Sequence, residues 1–487
     1  MTLDALRAAY PPFDGDARVY VHGGTCGHAV GIAPFIDELR RAGRAAFAEA
    51  GCDGACWAAP AATVVRGGHT HRFGRLDESG VAPLLICMAG SCDTRDEDGD
   101  ESRAGLLARL GRSDGTLNDA LAGGAYEAAS AALAMSPGEV IDAVDELGLS
   151  GRGGAHFPTG RKWRFASGAG EPPVLVVNAE EGEPGAFKDR HLLEGDPHRM
   201  LEGMIIAAHA TGATQAFVYI NGQARNARAS FDRALGEATE AGIVGGDALG
   251  ATVDLAIEVR SGAGGYVCGE ETVILNSIEG ERPIPRFKPP QITVAGVFGR
   301  PTLLNNVETL AAATQLFDPP PAPTKLIPLS GAVPRPGLYE VAIDGQTTWE
   351  SVLSEAGAAS SDVAALLLGG PSGSFVPPSQ FATPLEMAGL GAGAVTALAS
   401  ETDLASVTLD LARYNAQESC GECTPCREGT VRLVQLLEAP SVDRARVDEL
   451  IDVMTEASLC QLGGMAGRPV ASVLETFPEA FTIGAAE

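Results

Sequence analysis

The chain is poor in aromatic residues, at 5%, and poor in basic ones, with 35 Lys and Arg against 63 Asp and Glu. The resulting net charge of −28 repels nucleic acid and anionic membrane surfaces and argues against both as partners. Long hydrophobic runs are missing too: none reaches the ~18 residues needed to span a bilayer. Met1-Thr-Leu-Asp-Ala-Leu-Arg7 has neither the basic start nor the apolar core of a signal peptide. No export and no direct membrane insertion is expected. An acidic field still permits an anionic cofactor, because phosphate binding is decided locally by backbone N–H groups and one or two cations.

What is present is a soluble globular composition, 45% apolar and 20% charged. At 487 residues the expectation is two to four domains. Four of the ten cysteines stand out. Cys420, Cys423 and Cys426 recur every third residue in Glu418-Ser-Cys-Gly-Glu-Cys-Thr-Pro-Cys-Arg-Glu-Gly-Thr430, and Cys460 follows downstream. Three thiolates so spaced can hold three corners of an iron–sulfur cube, with a distal fourth completing the set. Zinc is the competing reading, but zinc sites favour two pairs over three and one. Thiols used as cluster ligands imply a reducing compartment, read as cytoplasm.

The pattern of the chain predicts an α/β multidomain protein. In residues 1–95, Ala17–His22 and Ala61–Val65 read as strands and Ile32–Gly51 as a helix. Residues 96–147 read as linker and helices, with an acidic connector at Asp93–Asp100 and a helical region at Gly105–Leu147. Residues 148–320 alternate strands (Pro173–Asn178, Ala216–Ile220, Thr252–Val259) with helices (Pro197–Thr211, Gln223–Ala241). That alternation predicts a parallel sheet with its ligand at the strand C-termini. Asp318–Pro323 is a proline-rich linker, 325–400 a β-rich module and 402–487 a helical segment carrying the four cysteines.

Two loops in the central block suit a phosphorylated, hydroxyl-bearing ligand. Ser150-Gly-Arg-Gly-Gly-Ala-His-Phe-Pro-Thr-Gly-Arg-Lys-Trp163 lets backbone N–H groups approach a phosphate that Arg161 or Lys162 can neutralise. Val177-Asn-Ala-Glu-Glu-Gly-Glu-Pro-Gly-Ala-Phe-Lys-Asp189 puts Asn178, Glu180, Glu181 and Glu183 directly after a buried strand. Such a group of like charges is costly unless it meets hydroxyls, a cation or a cationic ring. Ser261–Thr272 and Thr302–Glu308 add two further polar patches.

Together these motifs, in this order from about Leu147 to Pro469, resemble the NADH-binding, FMN-carrying subunit of the complex I family. The resemblance extends to its diaphorase relatives and is nearest the beta subunit of soluble NAD-dependent formate dehydrogenase. It implies a Rossmann-like FMN- and NADH-binding domain at 148–320, a ubiquitin-like β-grasp (SLBB) domain at 325–400, and a helical bundle at 402–487 holding a 4Fe-4S cluster on Cys420, Cys423, Cys426 and Cys460. It further implies that Gly151, Gly153 and Lys162 hold the FMN phosphate region, with Asn178, Glu180, Tyr266, Gly269, Asn305 and Asn306 around the flavin. Glu181, Glu183 and Glu271 would border the nicotinamide nucleotide, with Phe157 and Phe165 stacking on its rings. Glu183 takes the catalytic place as a positioning group, since hydride transfer needs no side-chain acid. Glu181 near the adenosine ribose would repel a 2′-phosphate and so favour NAD(H). Three positions depart from the family pattern: His156 replaces a common glycine, Glu180 a common aspartate, and Gln291 an aromatic.

Val19–Gly31 and Gly51–Pro60 resemble a thioredoxin-like ferredoxin domain. Relatives that bind a 2Fe-2S cluster use four cysteines. Here Cys26, Cys52 and Cys56 supply three, with Cys87 or Cys92 as the remaining choices, so no cluster is expected in 1–95. The implied role is a diaphorase subunit coupling hydride exchange with NAD(H) to one-electron transfer through the 4Fe-4S cluster. Implied partners are a small 2Fe-2S thioredoxin-like subunit and a large molybdenum/tungsten or hydrogenase-type catalytic subunit, with formate dehydrogenase first. The alternatives are the complex I subunit itself, passing electrons toward quinone, and a scaffold that has lost its cofactors.

Overall fold

A computed structural model describes residues 2–11, 17–42, 47–67, 69–77, 80–89, 105–247 and 249–483. The acidic segment Asp93–Asp100 and Cys92 lie outside these residues.

The N-terminal unit contains α1 (Leu3–Ala9), β1 (Ala17–His22), α2 (Thr25–Ala29), α3 (Ala33–Ala42), β2 (Phe47–Ala50), β3 (Ala62–Arg66), β4 (His69–Phe73) and α4 (Val81–Met88). Its sheet runs β2-β1-β3-β4, with β2 parallel to β1 and the other pairs antiparallel. Ile32, Phe35, Ile36 and Leu39 recur at helical spacing and bury α3 against Val19, Val21 and Val64. The helix expected over Ile32–Gly51 therefore ends early, and Phe47–Ala50 is a strand paired to Val19–His22. Cys87, buried on α4, is disulfide-bonded and so not a free ligand.

The central unit comprises α5 (Leu117–Ala122), α6 (Glu127–Leu133), α7 (Pro137–Glu146), α8 (Thr159–Ser167), β5 (Val174–Ala179), α9 (Lys188–Gly195), α10 (Pro197–Thr211), β6 (Gln215–Ile220), α11 (Arg225–Glu240), β7 (Ala256–Ser261), α12 (Glu271–Ile278), β8 (Thr302–Asn306) and α13 (Val307–Ala313). The four strands are all parallel, in the order β7-β6-β5-β8. Strand residues alternate between two buried faces. Leu175, Val177 and Val218 join one core, whereas Val174, Val176 and Phe217 join another with Ile274 and Leu275 of α12. Leu117, Tyr126, Val140 and Val144 share the first core, so 105–147 packs as part of this unit. The third strand starts later than expected, at Ala256. Helix α10 has the bounds its signals predict: Asp196 accepts from the Arg199 amide, Pro197 occupies the first turn, and Gly212 at φ +77° follows the last.

A mixed sheet follows, made of β9 (Thr324–Gly331), β10 (Gly337–Ala342), β11 (Val363–Leu368), β12 (Ser374–Val376) and β13 (Val395–Ala399), with α14 (Trp349–Glu355) across it. The order is β10-β9-β13-β11-β12, with β9 and β13 parallel at the centre. Its second face, through Ala365, Leu367 and Phe375, packs on the C-terminal helices α15 (Leu404–Glu418), α16 (Thr424–Leu437), α17 (Arg444–Ala457), α18 (Gln461–Met465) and α19 (Arg468–Thr476). Among the described residues no helix is long and apolar enough to cross a membrane.

Candidate functional site

Parallel strands deliver their last residues to one edge, and the polar loops collect there. Asn178, next to last in β5, has its side chain doubly used: Nδ2 donates to the Gly269 carbonyl (2.9 Å) and Oδ1 accepts from the Glu180 amide (3.0 Å). Glu180 is buried, with Oε1 receiving Asn221 Nδ2 at 2.7 Å and Oε2 without a hydrogen-bond partner. Burial pushes its carboxyl up to about 7. Glu183 behaves alike: Oε1 is buried without a partner, and desolvation, opposed by Lys188, raises the group to about 7.

Lys162 projects from α8 beside this edge. Burial pushes its ammonium below the usual amine range, while Glu271 opposes the shift and Lys288 adds to it. No salt bridge engages Lys162 among the described residues. A desolvated, unpaired cation next to a glycine loop and orphaned carboxylates suits a ligand with a phosphate at one end and polar groups at the other. Gly151 and Gly153 line the loop; a Cβ on Gly153 would lie 3.3 Å from the Asn306 side chain. His156 adopts φ +51°, a left-handed conformation that accounts for a glycine preference there.

Other predicted residues carry structural duties as well. The Glu181 carboxylate accepts from the Asp189 and Arg190 amides (3.0 and 3.1 Å), capping α9. Asn305 Oδ1 accepts from Trp163 Nε1 at 3.1 Å. Asn306 donates to Asp189 at 2.6 Å and receives Lys188 Nζ at 3.2 Å. Glu271 is paired with Lys288 at 2.5 Å. Phe157 and Phe165 are 41% and 55% exposed with ring centroids 6.4 Å apart, which removes the core reading of Phe165. Arg161 sits 5.5 Å over the Phe157 ring.

The C-terminal thiols are positioned by helix ends. Cys423 precedes the first turn of α16, Cys426 lies within that turn, and Cys460 precedes α18. With Cys420 they line one cavity, closed by Val267, Pro285, Leu459 and Leu462. All four are free. The Leu459 amide donates to Cys423 Sγ (3.4 Å), and Ser419 Oγ lies 3.3 Å from Cys426 Sγ. Burial pushes the Cys460 thiol up to about 11 and also raises Cys426, so thiolate ligation there requires a cationic metal. Gly463 is required by space: a Cβ would lie 2.5 Å from Ser458 Oγ and 2.7 Å from Cys426 Cβ.

One turn joins the two places. Within Tyr266–Gly269, the Gly269 carbonyl holds Asn178, while Val267 forms part of the thiol cavity wall. The Tyr266 amide donates to Glu418 at 2.7 Å, at the end of α15, and its hydroxyl donates to Ser372. Glu418 and Asn221 were not read from the sequence as site residues. Asn221 follows β6 directly, and the strand-end rule that found Asn178 could have found it.

Comparison with known proteins bears on the same two regions. The Nuo51 FMN-binding domain matches residues 144–315, and the NADH-ubiquinone oxidoreductase-F iron-sulfur binding region matches 406–483. The F subunit of NADH-quinone oxidoreductase from Aquifex aeolicus is 38% identical over 384 residues, covering 75% of this chain and 90% of that one. Its counterpart in Streptomyces coelicolor is 39% identical over 385 residues, covering 73% and 85%. A solved chain of NAD+-reducing [NiFe]-hydrogenase in its H2-reduced state is 30% identical with a TM-score of 0.67, covering 98% of this chain and 86% of that one. FMN and a 4Fe-4S cluster are accordingly the cofactors, with NADH as substrate. Matched at this identity across most of its relatives' length, the chain belongs to the complex I family of NADH-binding flavoprotein oxidoreductase subunits.

Proposed function

We propose that this chain is the diaphorase subunit of a soluble, cytoplasmic, multi-subunit dehydrogenase, reducing NAD+ with electrons that enter at the Cys420 cluster. The observation that carries the reading is the Tyr266–Gly269 turn, which touches Asn178 at the strand ends and the thiol cavity at once. When bound, FMN exchanges a hydride with nicotinamide and single electrons with the cluster, so it converts two-electron into one-electron transfer. The chain's own residues place the reactants. Gly151, Gly153 and Lys162 receive the phosphate, and Asn178, Glu180, Tyr266, Gly269, Asn305 and Asn306 frame the ring system. Phe157 and Phe165 offer stacking faces to the nucleotide, bordered by Glu181, Glu183 and Glu271. In this reading Glu183 orients the nicotinamide.

The N-terminal unit is read as thioredoxin-like, the central unit as Rossmann-like and the 325–400 module as an SLBB β-grasp domain. Likeness to the hydrogenase chain over 98% of this chain, against 75% for the Aquifex relative, supports a diaphorase over complex I itself. The partners would be a small 2Fe-2S thioredoxin-like subunit and a large catalytic subunit. Sequence resemblance favours a molybdenum- or tungsten-dependent formate dehydrogenase; the solved hydrogenase chain favours a nickel–iron partner as the second reading. Anaerobic purification of the native complex, with mass spectrometry and assay of NAD+ reduction by formate and by H2, tests this. Formate- or H2-dependent activity supports the diaphorase and names the partner. Co-purifying membrane-arm subunits with NADH–quinone activity overturn it.

A further inference from the structure

The flavin and cluster chemistry leaves unused a group of soft ligands that the fold assembles elsewhere. Cys26 lies on α2, Cys52 follows β2, and Cys56 opens a short 3-10 turn (Cys56–Ala58). They converge on His191, which belongs to α9 of the central unit. Sulfur atoms of Cys26 and Cys56 and a ring nitrogen of His191 lie within 4.8 Å of one another, and Cys56 Sγ is 3.8 Å from His191 Nε2. Cys52 is buried, with the Gly54 amide donating to its sulfur at 3.4 Å. None of the three is in a disulfide.

The histidine is prepared to ligate. Its Nδ1 lies 2.6 Å from the Phe187 carbonyl, which can only accept, so Nδ1 carries the proton and Nε2 presents its lone pair to the sulfurs. The approach of the two units is built from small residues. A Cβ on Gly51 would lie 2.5 Å from Gly195 Cα, and one on Gly24 would lie 2.8 Å from Glu194 Oε2. Glu194 accepts from the Thr25 amide at 2.9 Å, and Leu338 of β10 donates to the Gly54 carbonyl at 2.7 Å, fixing both sides of the group. A chance meeting of cysteines needs neither the glycines nor the oriented imidazole.

We propose that Cys26, Cys52, Cys56 and His191 form a four-ligand metal centre for a thiophilic metal, bridging the N-terminal unit and the flavin domain. Three thiolates with one imidazole are the donor set of zinc and of iron–sulfur centres. Metal–sulfur bonds of about 2.3 Å and metal–nitrogen bonds of about 2.0 Å put neighbouring donors roughly 3.5–4 Å apart. Cys26, Cys56 and His191 are close enough to share one ion, and Cys52, the remaining thiol of the N-terminal unit, would complete a tetrahedral set. The count of three ligands within residues 1–95 is short by one because the fourth is supplied 135 residues after Cys56.

The test uses the full chain, purified anaerobically, with metals counted by mass spectrometry and acid-labile sulfide measured alongside. Wild type is expected to hold one zinc per chain beyond the four irons of the C-terminal cluster. His191→Gln and Cys56→Ser should each lose it while keeping four irons and FMN. Cobalt(II) loading should give a thiolate-to-metal charge-transfer band in wild type that is absent in both variants. Two extra irons with two extra sulfides, lost in the same variants, would uphold the ligand set and assign it to a cluster. Wild type with no metal beyond four irons after zinc supplementation would overturn the proposal, as would extra metal that persists in His191→Gln and Cys56→Ser.

Discussion

Replacing Glu180 with glutamine should make the flavin-free protein more stable, and only above a defined pH. The carboxylate is 7% exposed, holds one hydrogen bond from Asn221, and leaves Oε2 unpartnered against Gly262, where a Cβ would come within 1.9 Å. Burial raises the group from 4.5 to about 7. The folded state therefore binds more protons than the unfolded chain between those values. Its contribution is fully present below 4.5, is lost as pH rises toward 7, and levels off above. A shift of that size corresponds to about 3 kcal/mol at pH 8. Glutamine keeps the volume and the acceptor for Asn221 but carries no charge. Glu180→Gln should match wild type near pH 4.5 and exceed it by about 2–3 kcal/mol at pH 8. Urea denaturation of the flavin-free chain from pH 4.5 to 8, followed by tryptophan fluorescence, measures the difference. A stability difference that stays constant across this range would refute the desolvation argument.

Lys162→Met should weaken FMN binding at least tenfold in a fluorescence titration without destabilising the flavin-free chain, because the half-buried lysine has no salt-bridge partner among the described residues; unchanged affinity would remove it from the phosphate site. Cys460→Ser should lower iron by about four per chain and abolish the cluster's paramagnetic signal, while NADH oxidation by a hydride-accepting dye survives. Gly463→Ala should cut cluster occupancy by more than half, given its 2.7 Å approach to Cys426 Cβ; full iron loading would show that α18 can shift to make room. Lys325→Met should cost about 3–5 kcal/mol in urea denaturation, since Lys325 and Glu308 are buried and paired at 2.5 Å.

The polar loops at the ends of the parallel strands were legible because their signals are local: an apolar strand followed at once by glycines and polar side chains. The bounds of α10 were legible for the same reason, its cap, proline and closing glycine being adjacent to it. Phe47–Ala50 was misread because Phe, Ala and Glu are acceptable helix residues, and only pairing with Val19–His22 makes them a strand. The polar edge strand His69–Phe73 carries no apolar alternation and was missed. Capping of α9 by Glu181 and the bond from Trp163 to Asn305 depend on approaches that no spacing rule encodes. His191 belongs to this class: nothing near it in sequence marks it as a partner of Cys26.

Helix α9 begins beside the polar strand ends, with Lys188 and Asp189 on Asn306, meets the N-terminal thiols at His191, and ends with Glu194 on Thr25. Eight residues of helix span about 12 Å. So short a rod has no internal joint to absorb displacement, and a push at one end arrives at the other. Loading or emptying the thiol group would tilt the same backbone whose Asp189 and Arg190 amides rest on Glu181. The N-terminal unit would then act as a lever on the nucleotide pocket, able to adjust how tightly the pocket grips without contributing an atom to its lining.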